Sequence, residues 1–224
     1  MNTFTLLQLA DAAWPTGGFA FSQGLESQAR IGLISDEKTF VEYLESYLGQ
    51  IASYDLPFLN SGFELVLDSS PDFLMLAEEW EAGMTTAPMK KASLTQGKAW
   101  LRLIDSVHPQ LSSKLFCESL KVTQVEEHFL LVFIWSLKSL GCSLSDGQTL
   151  LFHMALRDQL SAAIRLGLIG PLQAQSFQSR FHAICDHYIQ RYGNIKYTSA
   201  CKTAPLIEIG QGYSPQLYSR LFQN

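Results

Sequence analysis

The stretch Ser35–Ile51, SDEKTFVEYLESYLGQI, has the pattern of an amphipathic helix and sets the fold class. Its large apolar side chains recur every three or four residues, at Phe40, Leu44, Tyr47, Leu48 and Ile51. This spacing matches the 3.6-residue turn of a helix, so these side chains share one face. Ser35 is predicted to cap the helix, with Asp36 and Glu37 in the first turn, where the helix dipole favours acidic groups.

Similar signals recur along most of the chain and predict further helices. Ser70-Pro71 is expected to open one, because serine caps a helix and proline costs nothing at its first position. Thr123 and Glu126 have the spacing of a capping box. Gly141 and Gly167 suit the left-handed residue that ends a helix. We count about ten such helices, no strand pattern and no linker, which predicts a single all-α domain over residues 1–193.

Residues 194–224 differ from the rest of the chain. Residues 194–213 show no sustained helical face, and Ser214-Pro215 then starts a short predicted helix. Leu217, Leu221 and Phe222 lie on or near one side of that helix. A helix this short does not offset its own ordering entropy, so it must dock on its own domain or on a partner. We therefore predict an irregular tail that ends in a short helix for partner docking.

The composition excludes two classes of protein. Hydrophobic residues make up 47% of the 224 residues, which is enough for a large core and excludes a disordered chain. Charged residues make up only 17%, against about 25% in an average soluble domain. The formal net charge is −5, whereas nucleic-acid binding rewards dense lysine and arginine. We therefore expect a protein surface made for other proteins, and no nucleic-acid partner.

No stretch predicts a membrane span or an export signal. The longest apolar run, Phe129–Trp135, is far shorter than the ~20 residues that a spanning helix needs. The N-terminal stretch has no basic region, and Gln8 and Asp11 interrupt its apolar residues. The four cysteines form no C-x-x-C pair and are typical of reduced, packed thiols. We expect a cytoplasmic protein with no membrane contact.

The segment Trp14–Phe19, WPTGGF, lies between two predicted helices. A glycine pair before a helix could bind an anion through backbone N–H groups. No G-K-[ST] follows, which excludes a phosphate-binding loop of the Walker type. The favoured interpretation is a tight turn that lets two helices pack closely.

Three basic residues, Lys91, Lys98 and Arg102, are spaced to lie on one face of a helix. Ser93 and Gly97 occupy another face, where small residues permit close approach of a second helix. A solvated basic face and a docking patch for an acidic partner are both compatible with this pattern.

Asp158, Ser161 and Arg165 also share a helix face, within a segment rich in leucine, alanine and isoleucine. A buried charge is costly without a partner, so we expect a structural network between Asp158 and Arg165. The alternative is an all-helical ligand-binding or enzymatic domain with a pocket around these two residues.

His182, Cys185 and His187 form the only cluster of metal-ligand residue types. His187 points about 140° away from His182 on a helix, so one helix does not present all three to a tetrahedral metal. We assign no metal site and no cofactor. No motif supports a catalytic residue, so we expect a protein that is not an enzyme.

Four blocks of the sequence resemble, in order, the motifs of one known family. The blocks are LLQLADAAWPTGGFAFSQGLE (Leu6–Glu26), KASLTQGKA (Lys91–Ala99), SAAIRL (Ser161–Leu166) followed by Gly170 and Gln175, and finally APL (Ala204–Leu206) with LYSRLF (Leu217–Phe222). Together they resemble the urease accessory protein UreF, and the resemblance spans the whole chain.

The resemblance implies a function as well as a fold. Members of that family are all-helical, form homodimers and act as chaperones of nickel insertion. They bridge the accessory protein UreD (also called UreH) and the GTPase UreG, modulate the GTPase and help to deliver nickel to apo-urease. The partners expected for this chain are therefore UreD/UreH, UreG, apo-urease and a second copy of itself.

The resemblance also implies which residues contact partners. They are Gly17, Gly18, Glu26, Lys91, Ser93, Gln96, Lys98, Arg165, Gln175, Tyr218, Arg220, Leu221 and Phe222. The chain departs from the family pattern at two places. Tyr213-Ser214-Pro215 stands where many members carry an R-H-E-like triplet, and Pro171 follows Gly170 where glutamine is common.

Overall fold

The computed structural model describes residues 3–67 and 70–223. The predicted ranges 1–193 and 194–224 include residues 1, 2, 68, 69 and 224, which lie outside the described part. Eleven α-helices occur in that part: α1 (Thr3–Ala10), α2 (Leu25–Arg30), α3 (Glu37–Gln50), α4 (Leu56–Glu64), α5 (Pro71–Ala82), α6 (Ala87–Val107), α7 (Lys114–Val122), α8 (Phe129–Ser139), α9 (Leu144–Arg165), α10 (Pro171–Tyr192) and α11 (Pro205–Tyr213). Short 3₁₀ turns are formed by Gly18–Ala20, Tyr197–Ser199 and Ser214–Gln216.

The predicted all-α fold is confirmed. Helices α8 and α9 each pack against two or more other helices. Every residue from Leu130 to Leu137 in α8 is buried, as expected for a helix that is apolar all round. Helix α6 packs along α8, while α9 contacts α1, α2, α3, α4 and α10. Among the described residues, no helix is both long enough and apolar enough to cross a bilayer.

The local signals place some helix ends correctly and others wrongly. Ser70 caps α5, because its side chain accepts the Phe73 N–H at 3.3 Å. Gly141 and Gly167 both have φ of 73°, as predicted for glycines that end helices. Helix α3 is capped by Asp36, one residue later than predicted.

The predicted capping box at Thr123 and Glu126 is wrong, because α8 begins only at Phe129. The first N–H of α8 is satisfied from another helix: the Ser93 hydroxyl on α6 accepts the Phe129 N–H at 3.2 Å. A tertiary hydrogen bond therefore sets where this helix begins. No signal within Thr123–Phe129 itself carries that information.

A short π-helical segment, Ile51–Asp55, joins α3 to α4. The C-terminal chain runs beside it: the Cys201 N–H donates to the Ser53 carbonyl at 2.9 Å, and the Ser53 and Thr203 hydroxyls lie 3.0 Å apart. π-Helical turns are rare and often occur at functional sites. This segment carries Asp55, whose side chain lines a cavity in the protein.

The tail is more regular, and helical earlier, than the sequence predicts. The prediction of an irregular chain up to residue 213 is wrong, because α11 occupies Pro205–Tyr213. Gly210 lets α11 lie against α2, since a Cβ on Gly210 would be 3.1 Å from the Gly24 carbonyl oxygen. The short helix expected from Ser214 is a single 3₁₀ turn, Ser214–Gln216, followed by bends.

Candidate functional site

The glycine pair forms the predicted tight turn. Gly17 has φ of 79°, a left-handed conformation that favours glycine. A Cβ on Gly18 would lie 2.9 Å from Asp158 Oδ2 and 3.2 Å from Gln96 Oε1. A side chain at residue 18 would therefore require Asp158 or Gln96 to shift. The first sequence block thus meets the second block at Gln96.

Glu26 binds the C-terminal residues of the chain. Its side chain is buried, with 2% of the residue exposed, and its two carboxylate oxygens accept separate backbone N–H groups. Leu221 donates to Oε1 at 2.7 Å, and Phe222 donates to Oε2 at 3.2 Å. Hydrogen bonds to an ionised acceptor are among the stronger ones in proteins, so Glu26 fixes the end of the tail.

Arg165 holds the tail from the other side. Its guanidinium carbon lies 3.8 Å from the centre of the Phe19 ring and 4.1 Å from the centre of the Phe222 ring. The same group donates hydrogen bonds to the Phe19 carbonyl and, at 3.4 Å, to the Leu221 carbonyl. The first, third and fourth sequence blocks therefore meet around Arg165.

The predicted network between Asp158 and Arg165 is wrong. Asp158 instead pairs with its neighbour Arg157, whose Nη2 lies 2.8 Å from Oδ1. Seven residues correspond to about 10 Å along a helix axis, so Asp158 and Arg165 serve different surroundings. Asp158 faces the interior, and Arg165 faces the tail.

The docked tail leaves a group of apolar side chains exposed. Phe19, Tyr218 and Leu221 are all exposed, and Tyr218 is fully so. We call these three side chains the tail surface. Phe222 is 4% exposed and anchors the segment from below, while Arg220 points outward. The family-like motif LYSRLF thus separates into one buried anchor and two outward apolar residues.

Helix α6 presents its basic side chains to solvent. Lys91, Lys98 and Arg102 are all exposed, as the sequence pattern predicts. Lys98 has an ion-pair partner, Glu126, at 3.3 Å. This pair is exposed and contributes little to stability. The basic face is therefore available to a partner.

Ser93 and Gln96 point inward rather than to a partner surface. Ser93 Oγ lies 3.0 Å from Nδ1 of His128, which is completely buried, and His128 Nε2 lies 2.6 Å from Glu81 Oε2. Burial lowers the pKa of His128 and so favours the neutral ring. A neutral ring that donates from Nε2 to Glu81 and accepts at Nδ1 from Ser93 satisfies every partner.

Sequence reasoning missed His128 and Glu81 as members of this network. They lie 47 residues apart, and neither belongs to a recognisable motif. The network ties α5, α6 and the start of α8 together, and Lys90 adds an ion pair to Glu81. The network thus fixes the position of α6, the helix that carries the basic face.

Two other predicted features lie on α10, away from the tail contacts and the His128 network. Gln175 is exposed on α10. Cys185 is buried on the same helix, whereas His182 and His187 are exposed. Within residues 3–67 and 70–223, no group of three or more histidine, cysteine, aspartate or glutamate side chains is arranged to hold a metal ion.

Comparison with known proteins identifies the family. The UreF family model matches residues 34–182, more than half of the chain. The chain belongs to the UreF family. Urease accessory protein F of Arabidopsis thaliana is 33% identical, over 96% of this chain and 90% of its own length. The protein of the same name from Oryza sativa subsp. indica is 30% identical, over 96% of this chain and 82% of its own length.

A bacterial relative extends the similarity. Urease accessory protein UreF of Paenarthrobacter aurescens is 26% identical, over 98% of this chain and 96% of its own length. Family membership confirms the resemblance seen in the four sequence blocks. The matched region of the family model ends at residue 182, whereas these relatives align over nearly the whole chain.

Proposed function

We propose that this chain is a non-catalytic scaffold of urease maturation, required for nickel incorporation into apo-urease. It acts in the cytoplasm as a homodimer, binds UreD (UreH) and the GTPase UreG, and modulates the GTPase. The relatives named urease accessory proteins support the general role. The low content of charged residues, 17%, is consistent with a surface that other proteins cover.

The observation that carries this proposal is the construction of the tail. Glu26 and Arg165 hold the backbone at Leu221 and the Phe222 ring in place, and the neighbouring Tyr218 and Leu221 side chains are exposed. Holding the backbone of this segment in advance lowers the entropy lost on binding. An exposed tyrosine on a segment that is held in place suits a protein contact, because tyrosine is one of the residues that supply most interface energy.

The tail surface is proposed to bind UreD. We expect the double variant Tyr218→Ser/Leu221→Ser to lose at least about tenfold in affinity for UreD, as removal of two interface anchors predicts. The measurement is co-purification, followed by titration with purified UreD. Far-UV circular dichroism should stay unchanged, because neither side chain is buried.

Leu172→Ser is the matched control, because Leu172 is 84% exposed on α10 and lies in another part of the sequence. Its affinity for UreD should equal that of the wild type. Undiminished UreD binding by the double variant would remove the tail surface from the proposal.

A second candidate function rests on Asp158, which lines an internal cavity together with groups from several helices. A ligand-binding or enzymatic domain was the alternative for this region. Arg165 does not line the cavity, so the pocket expected around both residues is present only at Asp158. Bound chromophore or turnover of a small molecule by the purified chain would favour the enzymatic alternative over the scaffold.

A further inference from the structure

The centre of the molecule holds a cavity of about 150 Å³. Its walls come from α3, the π-helical segment, α5, α6, α8, α9 and the C-terminal chain. An apolar cavity of about this volume accepts a molecule the size of benzene. This one has polar groups in its wall, and they decide what it can hold.

Two carboxylates, Asp55 and Asp158, line the cavity from different helices. Burial raises the pKa of Asp55 to about 7 and raises the pKa of Asp158 as well. Arg157 balances the charge of Asp158. Lys202 is the cation facing Asp55, but its Nζ already pairs with Glu208 at 2.6 Å.

These five charged groups sum to one negative charge when all are ionised. Buried ions are costly unless they are compensated, so the cavity favours a guest with one positive charge. A guest with two positive charges would leave the cavity with one net positive charge.

Two buried polar atoms of the cavity wall have no hydrogen-bond partner in the described part of the chain. They are Trp80 Nε1, on a residue that is 4% exposed, and Gln211 Oε1, on a residue that is 5% exposed. Buried polar groups are normally paired, so each such atom calls for an explanation. An organic guest that brings its own polar group would satisfy the glutamine oxygen.

Much of the remaining wall is aromatic or thioether, beside aliphatic side chains and the polar side chains of Gln23, Gln50, Ser93 and Gln96. The aromatic and thioether residues are Tyr47, Tyr54, Trp80, Phe129, Phe133, Met84, Met89 and Met154. One of these rings already makes a cation–π contact within the chain, since Lys202 Nζ lies 5.1 Å from the centre of the Tyr54 ring. Aromatic walls favour weakly hydrated organic ammonium ions. In the described part of the chain, no three histidine, cysteine, aspartate or glutamate side chains are arranged to hold a metal ion.

We propose that this cavity is a binding site for a small organic ammonium ion, held by Asp55 and Asp158 between aromatic walls. The guest has one positive charge and the bulk of a few carbon atoms. This proposal is independent of the scaffold role, because none of its residues belongs to the tail surface or to the basic face of α6.

The methionines provide a direct test. The full-length chain, labelled with ¹³C at the methionine methyl groups, is titrated with ethylammonium chloride at constant ionic strength. We expect saturable shifts of the Met84, Met89 and Met154 methyl signals, which line the cavity. Met75, which is exposed on α5 and does not line the cavity, should not shift.

Asp55→Asn separates this site from non-specific ion binding. The variant keeps the size of the side chain and should weaken ammonium binding about tenfold or more, while Asp186→Asn on exposed α10 should leave it unchanged. The proposal is overturned if no methyl signal saturates or if Asp55→Asn binds as the wild type does. Equal shifts with sodium or magnesium chloride would also overturn it, since they would indicate an inorganic cation site.

Discussion

At the scale of single residues, Arg165 does the most to hold the tail in place. It stacks between two aromatic rings and donates to two backbone carbonyls, so four contacts depend on one side chain. Glu26 completes the attachment from the opposite side. These two charged residues thus hold the C-terminal tail against the N-terminal part of the chain.

We expect Arg165→Ala to release the tail without unfolding the domain. Amide hydrogen exchange at Leu221 and Phe222 should accelerate about tenfold or more, which corresponds to about 1.4 kcal/mol of local opening free energy. Arg180→Ala is the control, because Arg180 also stacks on an aromatic ring, 4.8 Å from the centre of Phe177, but lies on α10. Unchanged exchange at Leu221 in Arg165→Ala would contradict the assignment.

Asp55 should make stability depend on pH. Burial raises its pKa from 3.8 to about 7, so ionisation disfavours the folded state. The free energy of unfolding contributed by this group is highest below pH 4, falls between pH 4 and 7, and stays low above pH 7. Tyr47, Tyr54, Asp158 and Lys202 are the other ionisable groups in the same cavity wall.

Asp55→Asn removes that dependence. The variant should gain stability over the wild type, and the gain should be about 2 to 3 kcal/mol larger at pH 8 than at pH 5. Chemical denaturation at both pH values measures it, with Asp186→Asn as the exposed control. A gain that is equal at the two pH values would show that Asp55 does not titrate in this range.

At the scale of helices, α6 packs closely on the segment that leads into α8. A Cβ on Gly97 would lie 1.9 Å from the Glu127 carbonyl oxygen, a distance that the backbone does not tolerate. The family-like motif KASLTQGKA therefore contains a packing requirement at Gly97 beside its exposed lysines. The same helix face carries Ser93, which satisfies the first N–H of α8.

Gly97→Ala should lower the free energy of unfolding by about 3 kcal/mol or more, because backbone must move to admit the methyl group. Urea denaturation followed by circular dichroism measures the change. Gly170→Ala is the matched control, since a Cβ at Gly170 meets no atom within 4 Å. If Gly97→Ala lowers the free energy of unfolding as little as Gly170→Ala does, the close packing at Gly97 is contradicted.

The opposite face of α6 should bind the acidic surface of a partner. Lys91→Glu/Lys98→Glu is expected to weaken capture of UreG about tenfold or more at low salt, because it reverses two exposed charges. Lys38→Glu/Lys114→Glu is the control, since both lysines are exposed on other helices. Equal capture by the two double variants would remove α6 from the proposed interface.

The helices were predictable where their signals are local. Ser70 before Pro71 marks the start of α5, and Gly141 and Gly167 mark helix ends by their left-handed backbone. The start of α8 was not predictable, because the Ser93 hydroxyl that caps it lies on another helix. Helix α11 was also missed, since it depends on contact between Gly210 and α2.

The candidate site was predictable only in part. The motifs identify Glu26, Arg165 and the terminal LYSRLF as notable residues, but they do not show that these meet. Their meeting depends on folding across more than 190 residues of sequence, as the hydrogen bond from Leu221 to Glu26 shows. Asp55 and Lys202 have no motif at all, and only the packed interior reveals their common cavity.

At the scale of the whole molecule, the fold packs the C-terminal tail on the N-terminal part of the chain, and both proposed partner surfaces are exposed. The tail surface lies over the N-terminal glycine turn, and the basic face lies on α6. Deletion of Ser214–Asn224 would remove Tyr218 and Leu221 and also uncover buried Glu26, whereas Tyr218→Ser/Leu221→Ser changes exposed side chains alone. The point variants are therefore the cleaner probes of partner binding.

We propose that this chain holds UreD and UreG together and catalyses no reaction itself. Mixing the purified chain with UreD and UreG, followed by size-exclusion chromatography with light scattering, tests it most directly. We predict a single complex that contains all three proteins with wild-type chain, and loss of UreD alone with Tyr218→Ser/Leu221→Ser. A wild-type chain that elutes apart from both partners would contradict the account.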